Sequence, residues 1–342
     1  MKSEISELFP DPFGESSAAR LHRDIHVLGA RVRFESNSEE LLRLVDAAYA
    51  GLPRHELSPV VPQLRVRLVL TSPERKSARA APAPLQMMSG AGLLAGATAS
   101  SDFVAVSAHE QGALVVVSPR MLRFPYHTRY ELIEFAVFTL TARTQGLVAM
   151  HGACVGRAGR GVLLMGPTGA GKSTLTLQCL IEGLEILAED SVFVTPDTLL
   201  ASGVSNFLHV RADSLRWIAE RRTVEKIRQS PVIRRRSGVR KYEIDLRAGK
   251  YPLAVRPLKI SAIVFLSAQS ASGRPLLKRL LQKEALPMLV HEQAYAANQP
   301  PWASFIRTAK RLPFFELRRG EHPRESVAAL RELIEPPSRV IR

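Results

Sequence analysis

Apolar residues recur along the chain at two spacings, and these spacings predict which segments form strands and which form helices. Alternating or continuous apolar runs predict strands, whereas apolar positions three and four residues apart predict a helix. Near the start of the chain the pattern predicts a strand, a helix, three further strands and a second helix. These segments are residues 25–34, 39–49, 63–70, 103–107, 113–117 and 130–142. Together they predict a small α+β domain.

The second half of the chain has strands and helices in a different order. A continuous apolar run at 161–165 predicts a buried strand, periodic apolar positions at 173–181 predict a helix, and residues 184–188 predict the next strand. We expect a βαβ unit whose strands are parallel neighbours joined by a right-handed crossover. Later segments that predict strands and helices are residues 258–266, 276–281, 314–317 and 325–333. This half therefore predicts an α/β domain.

Two segments have no apolar face. Residues 1–18 carry acids, prolines and small polar residues, which predicts a frayed terminus. Residues 71–101 are rich in proline, alanine, serine and glycine, which predicts a long loop or a partly disordered flap. With 342 residues and 46% hydrophobic content, the chain is long enough for two packed domains. The joint is expected after the second predicted helix, which gives an N-terminal domain at 1–146 and a second domain at 147–342.

A complete P-loop motif, GxxxxGK[ST], lies between the strand at 161–165 and the helix at 173–181. Its residues, with the threonine that follows, are Gly166, Pro167, Thr168, Gly169, Ala170, Gly171, Lys172, Ser173 and Thr174. The glycines of such a loop let the backbone approach phosphates, and the start of the helix presents unpaired N–H groups to an anion. Lys172 is expected to hold the β- and γ-phosphates, and Ser173 Oγ to coordinate Mg²⁺. The motif predicts binding of ATP or another nucleoside triphosphate together with Mg²⁺.

An acidic pair, Glu189 and Asp190, follows the next predicted strand. The pair is therefore expected at the carboxyl end of a strand, beside the phosphates. We assign Asp190 to the Mg²⁺ site with Ser173, and either carboxylate could take the proton from an attacking hydroxyl. A pair of solvated acids capping a strand is the alternative interpretation.

The motifs of other phosphate-transfer classes are missing. The sequence has neither an Asn-Lys-x-Asp guanine-reading motif nor a Ser-Gly-Gly transporter-ATPase signature, and its acids follow the loop too soon for a switch-bearing GTPase. It also lacks the glycine-rich loop and His-Arg-Asp set of ordinary protein kinases. A P-loop kinase of another kind is therefore the leading prediction.

Four segments between residues 148 and 194 form a distinctive set. They are His151-Gly152-Ala153-Cys154-Val155, Gly161-Val162-Leu163-Leu164-Met165-Gly166, the P-loop, and Leu187-Ala188-Glu189-Asp190. The set resembles the catalytic core of HPr serine kinase/phosphorylases. The resemblance implies a P-loop core with a mixed sheet, similar to HPr kinase and phosphoenolpyruvate carboxykinase. It also implies catalytic roles for Lys172, Glu189, Asp190 and His151, with His151 near the transferred phosphate.

Two departures from the family pattern narrow the expected activity. The family's usual Asp-Asp is Glu-Asp here, so the carboxylate of Glu189 is one methylene further from the backbone. The later glycine-containing signature associated with the phosphorolytic reaction is missing, so neither phosphorylase activity nor HPr as a substrate is expected. The chain is more similar to HPr-kinase-related proteins of ribosomal-peptide maturation, including lasso-peptide kinases that phosphorylate a serine of a precursor peptide. This resemblance implies a peptide or small-protein acceptor.

Two other functions remain open from the residues alone. A kinase for a small-molecule hydroxyl would use the same residues, whereas a nucleotide-sensing or scaffold protein would bind ATP without proton transfer to either acid. A homo-oligomer is compatible with the sequence. The predicted N-terminal domain carries no motif tied to chemistry.

The net charge of +15 is concentrated in one segment. Residues 211–250 hold thirteen Lys/Arg against five Asp/Glu, a surplus of eight. This density could attract an anionic peptide, or direct Arg211, Arg240 or Lys241 to the transferred phosphoryl group; a solvated face is the alternative. Nucleic acid is not favoured, because the segment has only two aromatic side chains for stacking.

The two cysteines and the absence of long apolar runs bear on the expected compartment. Cys154 and Cys179 fall on predicted core positions without a metal-ligand spacing, which predicts buried thiols in a reducing compartment. The chain begins without an apolar signal segment, and no run approaches the roughly 20 apolar residues that cross a bilayer. We therefore expect a cytoplasmic protein with no membrane partner.

Overall fold

Strands and helices of a mixed α/β fold make up most of the described chain, which in this computed structural model comprises residues 21–72, 82–99, 102–249 and 251–335. The chain forms two compact units whose segments interleave. The first unit contains the chain up to Ile25, Val32–Ala48 and Gln63–Leu140. The second contains His26–Arg31, Tyr49–Pro62 and the chain from Thr141. The frayed terminus predicted for residues 1–18 lies outside the described residues.

The N-terminal strands form a seven-stranded sheet. They are β1 (Leu21–Val27), β2 (Ala30–Ser36), β3 (Gln63–Leu70), β4 (Gln86–Gly90), β5 (Leu93–Ala99), β6 (Asp102–Ser107) and β7 (Gly112–Val117). Their order is β1-β2-β3-β7-β6-β5-β4, in which β3 and β7 are parallel and β4 to β7 form an antiparallel run. The helices here are α1 (Glu39–Tyr49), α2 (Pro119–Leu122), α3 (Pro125–His127) and α4 (Phe135–Gln145), with a π-helical segment, Thr128–Glu134, before α4.

The predicted helix at 39–49 and strand at 63–70 are confirmed with the predicted bounds. The single strand predicted at 25–34 is wrong, because the chain turns at Leu28 and Gly29, with φ of 51° and 79°, and forms β1 and β2 instead. The loop predicted for 71–101 is wrong from residue 86 onward, where β4 and β5 form a hairpin. All five side chains of β4 are exposed, so this strand has no apolar alternation that a sequence pattern could detect. Residues 73–81 and 100–101 of that loop lie outside the described residues.

The strands of the second unit form a large mixed sheet and a small separate one. They are β8 (Val148–His151), β9 (Ala153–Arg157), β10 (Arg160–Met165), β11 (Glu185–Ala188), β12 (Ser191–Val194), β13 (Leu200–Gly203), β14 (Phe207–Val210), β15 (Val232–Arg234), β16 (Arg240–Asp245), β17 (Leu258–Ser270), β18 (Leu277–Leu280) and β19 (Phe314–Arg319). The nine-stranded sheet follows the order β11-β9-β10-β17-β13-β12-β8, with β19 paired to β17 and β18 paired to β19. The smaller sheet has the order β14-β16-β15.

Helices cover both faces of the large sheet. The helices after β10 are α5 (Lys172–Ile181), α6 (Arg221–Arg228), α7 (Gln282–Glu292), α8 (Ala294–Ala297), α9 (Trp302–Ala309) and α10 (Pro323–Ile334), with a 3₁₀ helix at Ala212–Trp217. Alternate residues of β10 face opposite layers: Val162 and Leu164 pack with α5 and α10, whereas Leu163 and Met165 pack with α7 and α9. Because both faces of β10 are buried, its sequence is a continuous apolar run.

The predicted βαβ unit is wrong in one respect, because β10 and β11 are not neighbours. Strand β9 lies between them and is antiparallel to both. A tight turn at Ala158 and Gly159, with φ of 50° and 80°, folds β9 back onto β10, so β9 occupies the neighbouring position. The parallel neighbour of β10 is β17, which is also parallel to β19. The carboxyl ends of β10, β17 and β19 therefore meet at one edge of the sheet.

Both cysteines are buried, as predicted, and neither forms a disulfide. Burial raises the pKa of both thiols, so Cys154 and Cys179 are protonated packing residues.

Within the described part of the chain, no helix combines the length and the apolar character needed to span a membrane.

Candidate active site

The loop from Gly166 to Ser173 joins the carboxyl end of β10 to the start of α5. Gly166, Gly169 and Gly171 have φ of 142°, 87° and 100°, where an L side chain is strained. A Cβ at Gly166 would also lie 3.1 Å from the carbonyl oxygen of Leu266. Helix α5 directs its first N–H groups and the positive end of its dipole toward this loop. The loop therefore has the geometry that binds phosphate at the start of a helix.

Lys172 lies within the loop. Its side-chain ammonium donates to the carbonyl oxygen of Gly166 and lies 3.5 Å from that of Pro167. The residue is 9% exposed, and this burial lowers the pKa of the lysine, while the nearby carboxylates Asp190 and Glu189 oppose the shift. The ammonium is thus held where an anion bound by the loop amides would meet it.

Ser173 and Glu189 are in direct contact, with Ser173 Oγ donating to Glu189 Oε1. Glu189 is buried and follows β11 directly. The sequence prediction grouped Ser173 with Asp190, but the acid that contacts the serine hydroxyl is Glu189. The next residue of the helix, Thr174, is also tied down, because its hydroxyl lies 2.8 Å from that of Ser214 in the 3₁₀ helix.

Asp190 lies beside His151, with 3.3 Å between Asp190 Oδ1 and His151 Nδ1. The His151 side chain is 54% exposed, so its ring can reach a bound ligand. His151 is the last residue of β8. The buried amide of Gln293 fixes its backbone, accepting from His151 N at 2.8 Å and donating to His151 O at 2.7 Å.

A buried histidine that sequence reasoning missed connects the acids to the small sheet. His209 on β14 lies 3.5 Å from Glu189 Oε2 through Nδ1 and 3.1 Å from Glu243 Oε1 through Nε2. Burial opposes protonation of His209, but the two carboxylates outweigh it, and the pKa of His209 is raised. No motif marks this residue; the only signal in the sequence is a histidine inside the short apolar run Phe207-Leu208-His209-Val210.

The cations predicted to approach the phosphoryl group are distributed unequally. Arg211 and Lys241 line the cavity around the loop, whereas Arg240 is exposed on β16. Burial lowers the pKa of Lys241, with Glu189 opposing this shift and Arg235 reinforcing it. Arg319, at the end of β19, is a cation that the sequence did not mark; its guanidinium lies 3.4 Å from the carbonyl oxygen of Gly169.

These side chains share one cavity of about 450 Å³. Of the predicted site residues, Gly166 and Arg240 do not line it, although the Gly166 carbonyl oxygen accepts from Lys172. The lining includes His151, Pro167, Thr168, Gly169, Ala170, Gly171, Lys172, Ser173, Thr174, Glu189 and Asp190. The volume lies in the range of small-molecule sites, about 300–1,000 Å³. Trp217 of the 3₁₀ helix and Glu321 of the segment after β19 also line the cavity.

The donor set fits magnesium better than a transition metal. Within the described residues, no group of three or more His, Cys, Asp and Glu side chains could hold a metal by itself. Mg²⁺ needs no such cage, because it is usually held by one or two protein oxygens, substrate phosphates and waters. The hydroxyl of Ser173 and the carboxylate of Glu189 provide adjacent oxygens of that type at the start of α5.

Comparison with known proteins gave matches among solved structures. No protein-family model and no curated protein is similar to the chain. Among solved structures, the HPr(Ser) kinase/phosphatase from Coxiella burnetii matches 54% of this chain and 88% of its own length, with 11% sequence identity and a TM-score of 0.27. The match is a distant structural likeness.

Proposed function

We propose that this protein is an ATP-dependent, Mg²⁺-requiring cytoplasmic kinase that phosphorylates a hydroxyl, that of a serine, in a peptide or small protein. One observation carries the proposal: the glycine-rich loop, with Lys172 and Ser173, lines the same cavity as two carboxylates. The carboxylate of Glu189 contacts Ser173, and that of Asp190 contacts the exposed His151. The peptide acceptor is supported by the sequence resemblance alone.

On the donor side, the loop amides and Lys172 bind the β- and γ-phosphates of ATP. Ser173 and Glu189 are the residues that would hold Mg²⁺, with Asp190 next to them. When bound, Mg²⁺ neutralises negative charge on the phosphate oxygens. Lys241 and Arg211 also line the cavity. Their positive charge would favour the transition state over the ground state by offsetting negative charge on the transferred phosphoryl group.

On the acceptor side, Asp190 takes the proton of the acceptor hydroxyl. The acceptor oxygen forms a bond to the γ-phosphorus as the bond from that phosphorus to the bridging oxygen breaks, and ADP leaves. His151 contacts Asp190 at 3.3 Å and orients its carboxylate. The division of labour between the two acids follows from their different contacts, since Glu189 is buried on Ser173 and Asp190 faces the half-exposed histidine.

The test is a mass-resolved incubation of the pure protein with Mg²⁺·ATP and serine-bearing peptides, alongside Lys172→Ala and Asp190→Asn. We expect a gain of about 80 Da on the peptide with the wild type only. Asp190→Asn should lower kcat at least about 100-fold, because it removes the general base, and should leave ATP affinity measurable by calorimetry.

Other outcomes would point to the alternative functions. ATP binding with transfer only to small hydroxyl compounds would support a small-molecule kinase. ATP binding that depends on Lys172 but gives no transfer to any acceptor would support a nucleotide sensor or scaffold. Equal phosphate chemistry in the wild type and Asp190→Asn would contradict the proposed site.

A further inference from the structure

The hairpin formed by β15 and β16 is strongly and uniformly basic. Residues 232–241, here named the basic hairpin, contain five cations and no acid. The cations are Arg234, Arg235, Arg236, Arg240 and Lys241. This short segment thus accounts for five of the thirteen Lys/Arg of residues 211–250.

Two of these cations face each other at a cost to stability. Arg234 and Arg240 are directly paired across the antiparallel strands, and both are exposed. Like charges at opposed positions destabilise a strand pair. Within the described part of the chain, neither guanidinium has an ion-pair partner, whereas Arg221 pairs with Glu225 and Arg247 with Asp245 at 2.9 and 2.8 Å. A local charge conflict of this kind is expected where a residue serves binding rather than folding.

The basic hairpin reaches the candidate active site. Arg235, Ser237, Val239 and Lys241, at alternate positions, line the same cavity as Lys172. Arg234 and Arg240 form the strand pair next to the turn of the same hairpin, and both residues are exposed. Because Arg235 directly follows Arg234 and lines the cavity, a ligand bound at Arg234 and Arg240 lies next to the turn of the hairpin that borders the cavity.

The outer strand of the basic hairpin suits an extended chain. β15 is the terminal strand of its three-stranded sheet, so in the described residues no further strand covers that edge. Val232 is 47% exposed beside Arg234 and offers an apolar contact next to the charges. Extended peptides bind sheet edges through backbone hydrogen bonds, with side chains adding specificity. The basic hairpin itself has no aromatic residue, so it lacks the stacking surface that single-stranded nucleic acid uses.

We propose that the basic hairpin binds acidic residues of an extended peptide substrate and so presents the peptide's hydroxyl to Asp190. This inference rests on the proposed function and adds the class of acceptor: a serine flanked by aspartate or glutamate. Because the cations complement the negative charge of the peptide, they raise the rate at which peptide and protein associate and favour acidic peptides over others. Both effects weaken as salt screens the charges.

The experiment compares three fluorescein-labelled peptides of equal length that differ only around one serine, with Asp/Glu, Asn/Gln or Lys as flanking residues. The hairpin variant is Arg234→Glu with Arg240→Glu. The matched control is Arg222→Glu with Arg228→Glu, which makes the same change in net charge at two exposed positions of α6. Binding is followed by anisotropy, transfer by mass, and ATP affinity by calorimetry.

We expect the wild type and the control to use the acidic peptide with a kcat/KM at least about tenfold above that of the neutral peptide. The hairpin variant should lose this preference, keep its ATP affinity within about twofold, and bind the Lys-flanked peptide better than the wild type does. That gain cannot come from misfolding.

Three outcomes would overturn the inference: equal use of acidic and neutral peptides by the wild type, equal losses in the hairpin and control variants, or hairpin-dependent binding of a single-stranded oligonucleotide more tightly than the acidic peptide. Failure of the proposed function gives a different pattern. Hairpin-dependent binding of the acidic peptide without phosphoryl transfer would refute the kinase and retain the docking surface.

Discussion

At the scale of single residues, the candidate site is organised around Glu189. Its two oxygens face different partners, Ser173 Oγ and His209 Nδ1, and His209 continues the polar chain to Glu243. The HPr serine kinase/phosphorylases that the sequence resembles have aspartate where this chain has Glu189. The additional methylene of glutamate gives the carboxylate the reach to contact a hydroxyl on α5 from the end of β11.

Glu189→Asp tests the importance of that reach. Shortening the side chain withdraws the carboxylate from Ser173, so we expect the Mg²⁺ concentration for half-maximal activity to rise about 10- to 100-fold. Activity at saturating Mg²⁺ should recover substantially, because Asp190 is unchanged. A magnesium titration of phosphoryl transfer measures this, with Asp190→Asn as the contrasting variant whose activity excess Mg²⁺ does not restore. Identical titrations for Glu189→Asp and wild type would contradict the assignment.

The sequence could predict the parts of the site that are contiguous in the chain. The loop residues from Gly166 to Ser173 and the pair Glu189 and Asp190 are recognisable because phosphate and Mg²⁺ chemistry restrict residue type at fixed spacing. His209 could not be predicted as a site residue, and Lys241 could be predicted only as one of three candidate cations, with Arg211 and Arg240. His209 and Lys241 reach the cavity only because β14 and β16 pair in a separate sheet, and no local pattern encodes that pairing.

At the scale of elements, prediction succeeded where one side of a segment is buried. The apolar positions of α1 and the alternation of β3 mark both segments with their observed bounds. It failed at β4, whose side chains are all exposed, and at the position of β9, which depends on a tight turn and on long-range pairing. The apolar pattern of a sequence predicts which positions are buried, but it does not predict which strands become neighbours, because that depends on chain topology.

Gly203→Ala tests how tightly β11, the strand that ends just before Glu189, is packed. A Cβ at Gly203 would lie 2.5 Å from Ala188 Cβ and 2.7 Å from the Leu187 carbonyl oxygen. We expect a loss of roughly 1–3 kcal/mol in the free energy of unfolding, measured by urea denaturation. Activity should fall as well, because Ala188 directly precedes Glu189.

The matched control is Gly112→Ala, where the nearest atom to the new Cβ, the Glu110 carbonyl oxygen, lies at an ordinary 3.5 Å. This variant should retain its activity. Equal losses of activity in the two variants would count against a packing effect specific to β11.

At the scale of the whole molecule, the second unit uses a segment far from the rest of its sequence. Tyr49–Pro62 belongs to it, although the unit otherwise consists mainly of the chain from Thr141. His55 anchors this segment: its Nε2 donates to the Ala254 carbonyl oxygen at 2.9 Å, and its Nδ1 lies 2.9 Å from the Ser202 hydroxyl. The sequence division at residue 146 stays a prediction and gives no hint of this contribution.

His55→Ala should reveal the contribution as a loss of stability that depends on pH. We expect a loss of about 1–3 kcal/mol at pH 8, because buried polar partners lose their bonds. Burial lowers the pKa of His55, so the neutral ring contributes stability that is present above the unfolded-state pKa of 6.5 and is lost as pH falls through the lower folded-state value.

The difference between wild type and His55→Ala should therefore shrink toward pH 5. Urea denaturation at several pH values measures it. His109→Ala, at a side chain that is 96% exposed, is the control and should change stability by less than about 0.5 kcal/mol at any pH. A constant difference across the pH range would show that the neutral state of the His55 ring is not what stabilises the unit.

The same anchor constrains the order in which the protein can be completed during synthesis. His55 leaves the ribosome 147 residues before Ser202 and 199 residues before Ala254. The segment around His55 therefore cannot form its hydrogen bonds to Ser202 and Ala254 until most of the chain has been synthesised. Loops of that length also close slowly. The nascent chain consequently carries this segment of its second unit without its native hydrogen-bond partners until Ala254 has been synthesised.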